Sequence, residues 1–166
     1  MPQKQTAVVP QKRVPNKAKY ELKNLKFLGD FMSAKGITTT EAGAKIGLSQ
    51  VSIYYWFKND DARLSSAERI INAFDCSLYI DFVDQKKVES RDDVIITVEY
   101  EKRLSFLSVA LSSVNKDELA AFLEISPSTI YYWLHHDDIQ VSYIYKIAEF
   151  LGKKVKILIQ PNRKSR

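Results

Sequence analysis

The eight residues Ser49–Trp56, SQVSIYYW, return 77 positions later as Ser126–Trp133, SPSTIYYW. The match extends on both sides. Residues 37–43, ITTTEAG, align with 114–120, VNKDELA, at the same offset, and Ile70, Ile71 and Phe74 align with the stretch 144–151, IYKIAEFL. Phe106-Leu107 best matches Phe27-Leu28, so the first copy is two residues longer ahead of its turn. Two unrelated amphipathic helices would not share the run IYYW at one register. A unit of this length, present only twice, implies tandem domains rather than a solenoid.

Each copy reads as two short helices about a tight turn. In the first, Ala42 and Ile46 are four apart and line one face, and Ile53 and Trp56 are three apart and line another, which assigns Trp56 to the core. Gly47 can take the left-handed conformation that ends a helix, and Ser49 can cap the next. Gly43 offers no side chain where the two helices approach. Gln50, Val51 and Ser52 are then left facing outward at the start of the second helix.

Gly36-Ile37-Thr38 followed by Glu41 through Trp56 resembles the helix-turn-helix of the Cro and lambda-repressor family. The likeness covers about residues 25–80 and rests on a small residue early in helix two, Gly-apolar-Ser at the turn, then Ile and an aromatic three residues later. Ala42 departs from it, since the family usually has Leu there, which implies a thinner core. The fold class this implies is mainly α: two tandem lambda-repressor-like helix-turn-helix bundles, each followed by a short β-strand. The function it implies is a sequence-specific double-stranded DNA-binding protein, a transcriptional regulator of the repressor kind, with a recognition helix in the major groove. By resemblance, Gln50, Val51 and Tyr55, with Ser128 and Tyr132 of the second copy, meet base edges. Thr39, Ser49, Ser52 and Lys58, with Lys116, Ser126 and Thr129, meet phosphates. The chemistry agrees in part: glutamine can bond adenine N6 and N7, valine can touch a thymine methyl, and tyrosine can stack or reach a phosphate. For Tyr54, packing beside helix one is at least as good a reading.

The chain divides around these copies. Seven basic residues, Lys4, Lys12, Arg13, Lys17, Lys19, Lys23 and Lys26, face only Glu21 in the first 26 positions, and they exceed the net charge of +5 carried by the whole chain. Pro2, Pro10 and Pro15 break this segment, so residues 1–18 read as a disordered basic arm. Lys12, Arg13, Lys17 and Lys19 either follow DNA phosphate or a minor groove, or only solubilise the chain. The first unit spans 19–84. Its helix one is expected over 20–35, stopped by Gly36, helix two starts at a Thr38 or Thr39 cap with Glu41 returning a bond, and helix four is capped by Ser65 or Ser66. Leu78, Ile80 and Phe82 alternate with more polar neighbours as a strand does. A linker follows over 85–93. The second unit spans 94–161 with flanking strands, one at Val94–Tyr100 and one containing Val155, Ile157 and Ile159, and 162–166 form a basic tail. The strands after each unit can pair antiparallel, making one chain a pseudo-twofold dimer, or 78–83 can form a hairpin with 94–99. A homodimer stays open beside the intrachain arrangement.

The second unit is acidic. Between Asn115 and Gln140, Lys116 stands against Asp117, Glu118, Glu124, Asp137 and Asp138, the wrong sign for a phosphate surface. Glu124 occupies the place of Gly47, where a left-handed turn would strain it by roughly 1 kcal/mol. Pro127 suits a first helical position. These features keep two alternatives in view: an antitoxin-type regulator that binds a toxin, and a protein-interaction module on the same scaffold with the second unit as its contact face.

Other classes find no support. There is no glycine-rich phosphate loop and no nucleophile elbow, so no enzyme and no cofactor are expected. His135 and His136 lack further ligands at metal spacing and read as helix-end histidines, so no metal is expected. The one cysteine, Cys76, precludes an internal disulfide and is expected in the core within helix four. No apolar run is long enough for a bilayer and no signal peptide is evident, which points to a cytoplasmic protein with no membrane partner.

Overall fold

The computed structural model describes residues 21–85 and 102–163. Among them are eight α-helices and two strands: α1 (Lys26–Lys35), α2 (Thr39–Ile46), α3 (Gln50–Asn59), α4 (Leu64–Ala73), β1 (Cys76–Asp84), α5 (Ser105–Leu111), α6 (Lys116–Leu123), α7 (Pro127–His136), α8 (Val141–Phe150) and β2 (Lys153–Pro161). The protein is therefore mainly helical with a small two-stranded antiparallel sheet. The basic arm, most of the 85–93 linker, the strand expected at Val94–Tyr100 and the end of the basic tail lie outside the described residues.

Local chemistry accounts for the helix boundaries. Leu28, Phe31 and Met32 bury one stripe of α1, and Gly36 ends it in the left-handed region at φ 64°. Thr38 caps α2: its side chain accepts from the Glu41 N–H while the Glu41 carboxylate accepts from the Thr38 N–H. This reciprocal arrangement satisfies two donors that a helix start leaves without partners. Gly47 closes α2 at φ 72°. A Cβ on Gly43 would stand 2.4 Å from the Leu48 carbonyl oxygen, so only glycine lets the turn fold back onto α2.

Four expectations are corrected. Helix one starts at Lys26, not at 20, because the Asp60 carboxylate accepts the N–H groups of Lys23, Asn24 and Leu25 and holds them as a capping loop. Neither Ser65 nor Ser66 caps α4; the cap position is Arg63, which makes no side-chain bond there. Cys76 is buried, but it opens β1 rather than lying in a helix. Trp56 is only partly buried, and Phe57 takes the core position at 2% exposure. In the second unit Trp133 is buried at 7% and Leu134 is the partly buried member.

The pairing of β1 with β2 reveals how the two units are related. Cys76 faces Pro161 and Asp84 faces Lys153, with Ile80 opposite Ile157 at the centre. Ile157 is the residue 77 positions after Ile80, so a residue pairs with its own repeat counterpart. The isolated bridge Arg63–Gln140 has the same property. Both pairs therefore lie on a pseudo-twofold axis, and the remaining contacts across it come in equivalent halves. Leu64 N–H donates to the Ile139 carbonyl (2.8 Å), and Val141 N–H donates to the Ala62 carbonyl (2.9 Å). Asp138 accepts from the Ser65 N–H (2.9 Å) and hydroxyl (2.5 Å), and Asp61 accepts from the Ser142 N–H (2.9 Å) and hydroxyl (2.7 Å). Each unit thus supplies the carboxylate that caps the fourth helix of the other, which explains why α4 needs no cap of its own.

Six of the seven left-handed residues among those described obey the same symmetry, Gly47 with Glu124, Asp60 with Asp137, and Asp75 with Gly152, while Gly36 has no left-handed counterpart after α5. Asp137 mirrors Asp60 in role as well, accepting the Arg103 and Leu104 N–H groups ahead of α5. The buried side chains form one continuous core across both units. Phe82 of β1 meets Phe106 of α5 edge-on, with ring centroids 5.4 Å apart.

Candidate nucleic-acid interface

The two IYYW segments lie on α3 and α7, and each helix has one buried side and one exposed side. On α3, Ile53 and Phe57 face the core, while Val51, Tyr54 and Tyr55 are 54%, 41% and 51% exposed. On α7, Ile130 and Trp133 face inward, and Tyr131 and Tyr132 are each 58% exposed. Each helix thus presents two adjacent tyrosine rings to solvent at matched places.

The start of α3 is built by its own sequence. Ser49 is the cap: its hydroxyl oxygen accepts from the Ser52 N–H at 3.2 Å and lies 3.0 Å from the Ser52 hydroxyl. Gln50 is exposed, and its Oε1 accepts from the Thr40 hydroxyl at 2.5 Å. That bond anchors the amide through its oxygen. Arg69 of α4 donates to the Ile46 carbonyl at the end of α2, tying the turn to the rest of the unit. Lys58, one turn beyond Tyr55, holds its ammonium 5.7 Å from the Tyr55 ring centroid, and Tyr54 meets Tyr55 edge-on at 5.9 Å. Gln50, Val51, Tyr55 and Lys58 thus share one exposed side. Ser49 joins them, Ser52 is half-buried and Thr39 is half-buried at the start of α2.

The second unit repeats the geometry with different chemistry. Asn115 caps α6, accepting from the Asp117 and Glu118 N–H groups. Glu124 makes the turn at φ 57°, as its alignment with Gly47 requires. Ser126 is the cap residue of α7 without capping through its side chain; its hydroxyl lies 2.8 Å from that of Ser128, and Pro127 opens the helix. Ser126 and Ser128 are exposed and Thr129 is half-buried. Lys116 is half-buried, with its ammonium 5.8 Å from the Tyr131 ring. Tyr132 stacks on His136 at 3.8 Å, and the His136 Nδ1 lies 3.0 Å from the Tyr132 carbonyl oxygen.

The geometry adds three residues to these helix faces. Tyr54 is 41% exposed, Tyr131 is 58% exposed, and the Thr40 hydroxyl donates to Gln50. The duplicated IYYW was the available signal for the tyrosines, because two rings between a buried Ile and a buried or half-buried Trp must point outward. Thr40 gave none, since its bond to Gln50 spans ten residues across the turn.

Chemically, α3 offers an amide anchored through its oxygen, a small apolar group, two rings and a cation. The second helix offers hydroxyls, two rings and a stacked imidazole, with carboxylates nearby. Among the described residues, no group of three or more His, Cys, Asp or Glu side chains is placed to hold a metal ion. No described helix is long and apolar enough to cross a membrane. Comparison with protein-family models, curated proteins and solved structures finds no match to the chain.

Proposed function

We propose that this protein is a sequence-specific duplex DNA-binding regulator, repressor-like, whose two four-helix units are helix-turn-helix domains of the Cro and lambda-repressor type. One chain presents two recognition helices, α3 and α7, about a built-in pseudo-twofold axis. The observation that carries this reading is the pair of exposed, aromatic and hydrogen-bonding helix faces, each held behind a left-handed turn and related by the same symmetry that pairs Ile80 with Ile157. Duplex DNA has the same kind of local twofold symmetry, so a pseudo-symmetric reader meets a pseudo-palindromic site. Gln50, Val51 and Tyr55, with Ser128 and Tyr132, are the base-reading candidates. Thr39, Ser49, Ser52, Lys58, Lys116, Ser126 and Thr129 are the phosphate candidates, and the basic arm adds salt-dependent affinity.

The two helices are not equal partners. Val51 faces outward where the second unit has Ser128, and Lys58 stands where it has His135. The first unit therefore carries most of the affinity, and the preferred site is asymmetric. Gln50→Ala with Tyr55→Ala should weaken binding to a selected site by about 1–3 kcal/mol, roughly 5- to 150-fold, measured by fluorescence anisotropy at fixed salt. Unchanged affinity would remove α3 from the interface.

A second reading has its own support. Val109 (72% exposed) and Phe122 (47%) stand in the second unit where the aligned first-unit residues are Asp30 and Lys45. Exposed apolar side chains in a unit whose residues 115–140 carry five carboxylates against one lysine suit a protein partner, as in the antitoxin and interaction-module alternatives. Salt separates the readings: DNA binding weakens steeply as salt rises, whereas an apolar protein contact does not.

A further inference from the structure

Where the pseudo-symmetry breaks, it leaves a cavity. The space, about 480 Å³, lies between α4 and β1 of the first unit and the entry to α5 of the second. Its walls include Leu78, Ile80 and Phe106, and its rim includes Asn72, Glu68 and Arg103. The twin position across the axis is built differently. Tyr145 stands there in place of Glu68, half-buried against the core, and burial followed by the negative charge of Asp60 pushes its phenol above the usual value. Asp60 is the counterpart of Asp137, which also lines the cavity. Asn24, which donates to the Asp60 carbonyl, is the counterpart of Arg103, which donates to the Asp137 carbonyl. The two places thus share this backbone frame, and at one of them a half-buried tyrosine stands where the other has Glu68.

We propose that the cavity binds a small uncharged aromatic molecule, a phenol the size of a tyrosine side chain. The charges at the site favour a neutral guest over an ion. Arg103 is engaged by Glu68 at 2.6 Å and stands 3.8 Å from Asp137, and with Lys102 the four charged groups sum to zero. Leu78, with Ile80 and Phe106 beneath it, offers the ring an apolar contact, and the more polar remainder of the lining offers donors and acceptors to a hydroxyl. Because Asp137 ends α7 and caps the loop ahead of α5, a guest here bridges both units and supports the end of the second exposed helix. This inference does not rest on the DNA-binding reading.

The test uses p-cresol, the tyrosine side chain as a free molecule, titrated into the full-length protein and followed by NMR and thermal shift. One site is expected, with a Kd of about 1 mM or tighter and with shift changes centred on Leu78, Ile80 and Phe106. Glu68→Tyr should fill the site and weaken binding at least tenfold. Tyr145→Ala should open the twin and raise the stoichiometry to two, an arm independent of whether Glu68→Tyr folds. Absence of saturable binding to the unaltered protein would overturn the proposal, as would a stoichiometry of one in Tyr145→Ala.

Discussion

Glu124 holds a backbone conformation that its counterpart Gly47 holds without a side chain, φ 57° against 72°. The Cβ cost of the left-handed region is about 1 kcal/mol, so Glu124→Gly should stabilise the protein by about that much in urea unfolding. The opposite holds at Gly43. A Cβ there meets the Leu48 carbonyl at 2.4 Å, and backbone cannot yield as a side chain can. Gly43→Ala should therefore cost roughly 2 kcal/mol. Tyr145 gives a pH-dependent prediction. Its folded-state phenol titrates above the ordinary 10.0, so the folded state holds the proton more tightly than the unfolded chain does. That stabilisation is complete below pH 10.0 and is lost as pH rises through the folded value. Tyr145→Phe should flatten this alkaline loss, measured as the slope of unfolding free energy against pH. At this scale the sequence was legible where chemistry is local. The Thr38–Glu41 box, the Ser49 cap and the strained Glu124 all follow from neighbouring residues. Trp56 was not legible, because a helix face admits both i+3 and i+4 partners of Ile53. Packing selects Phe57 in one unit and Trp133 in the other.

Among elements, α4 and α8 show the limit of local reading. Their starts are capped by Asp138 and Asp61, which lie 73 and 81 residues from the serines they bind. No neighbouring pattern announces such a bond, so Ser65 and Ser66 looked like the caps. Each aspartate accepts two hydrogen bonds at the start of a helix in the other unit. Asp61→Ala and Asp138→Ala should each cost about 1–2 kcal/mol, by chemical denaturation, and near-equal losses are the signature of the symmetry. The strands illustrate a different limit. Alternation identified both, but it left β1 with two possible partners. The pairing with β2 is a tertiary choice, made where Ile80 and Ile157 meet and the two helical units close over one core.

In the whole molecule, both units share that core and one sheet, and neither sheet strand has a partner within its own unit among the described residues. Thermal unfolding should accordingly show one cooperative transition rather than two. Ile80→Ala at the axis should shift the entire transition, at a cost of about 2–4 kcal/mol. The same architecture underlies the function we propose, since a joint core fixes α3 and α7 relative to each other before any ligand arrives. The most direct test is to select random duplex DNA against the full-length protein at physiological salt and sequence what is retained. The account predicts an asymmetric motif of two related half-sites about one helical turn apart, bound by a single chain, with the stronger half lost in the Gln50→Ala, Tyr55→Ala variant. Retention without any enriched sequence, at a level set only by salt, would contradict it.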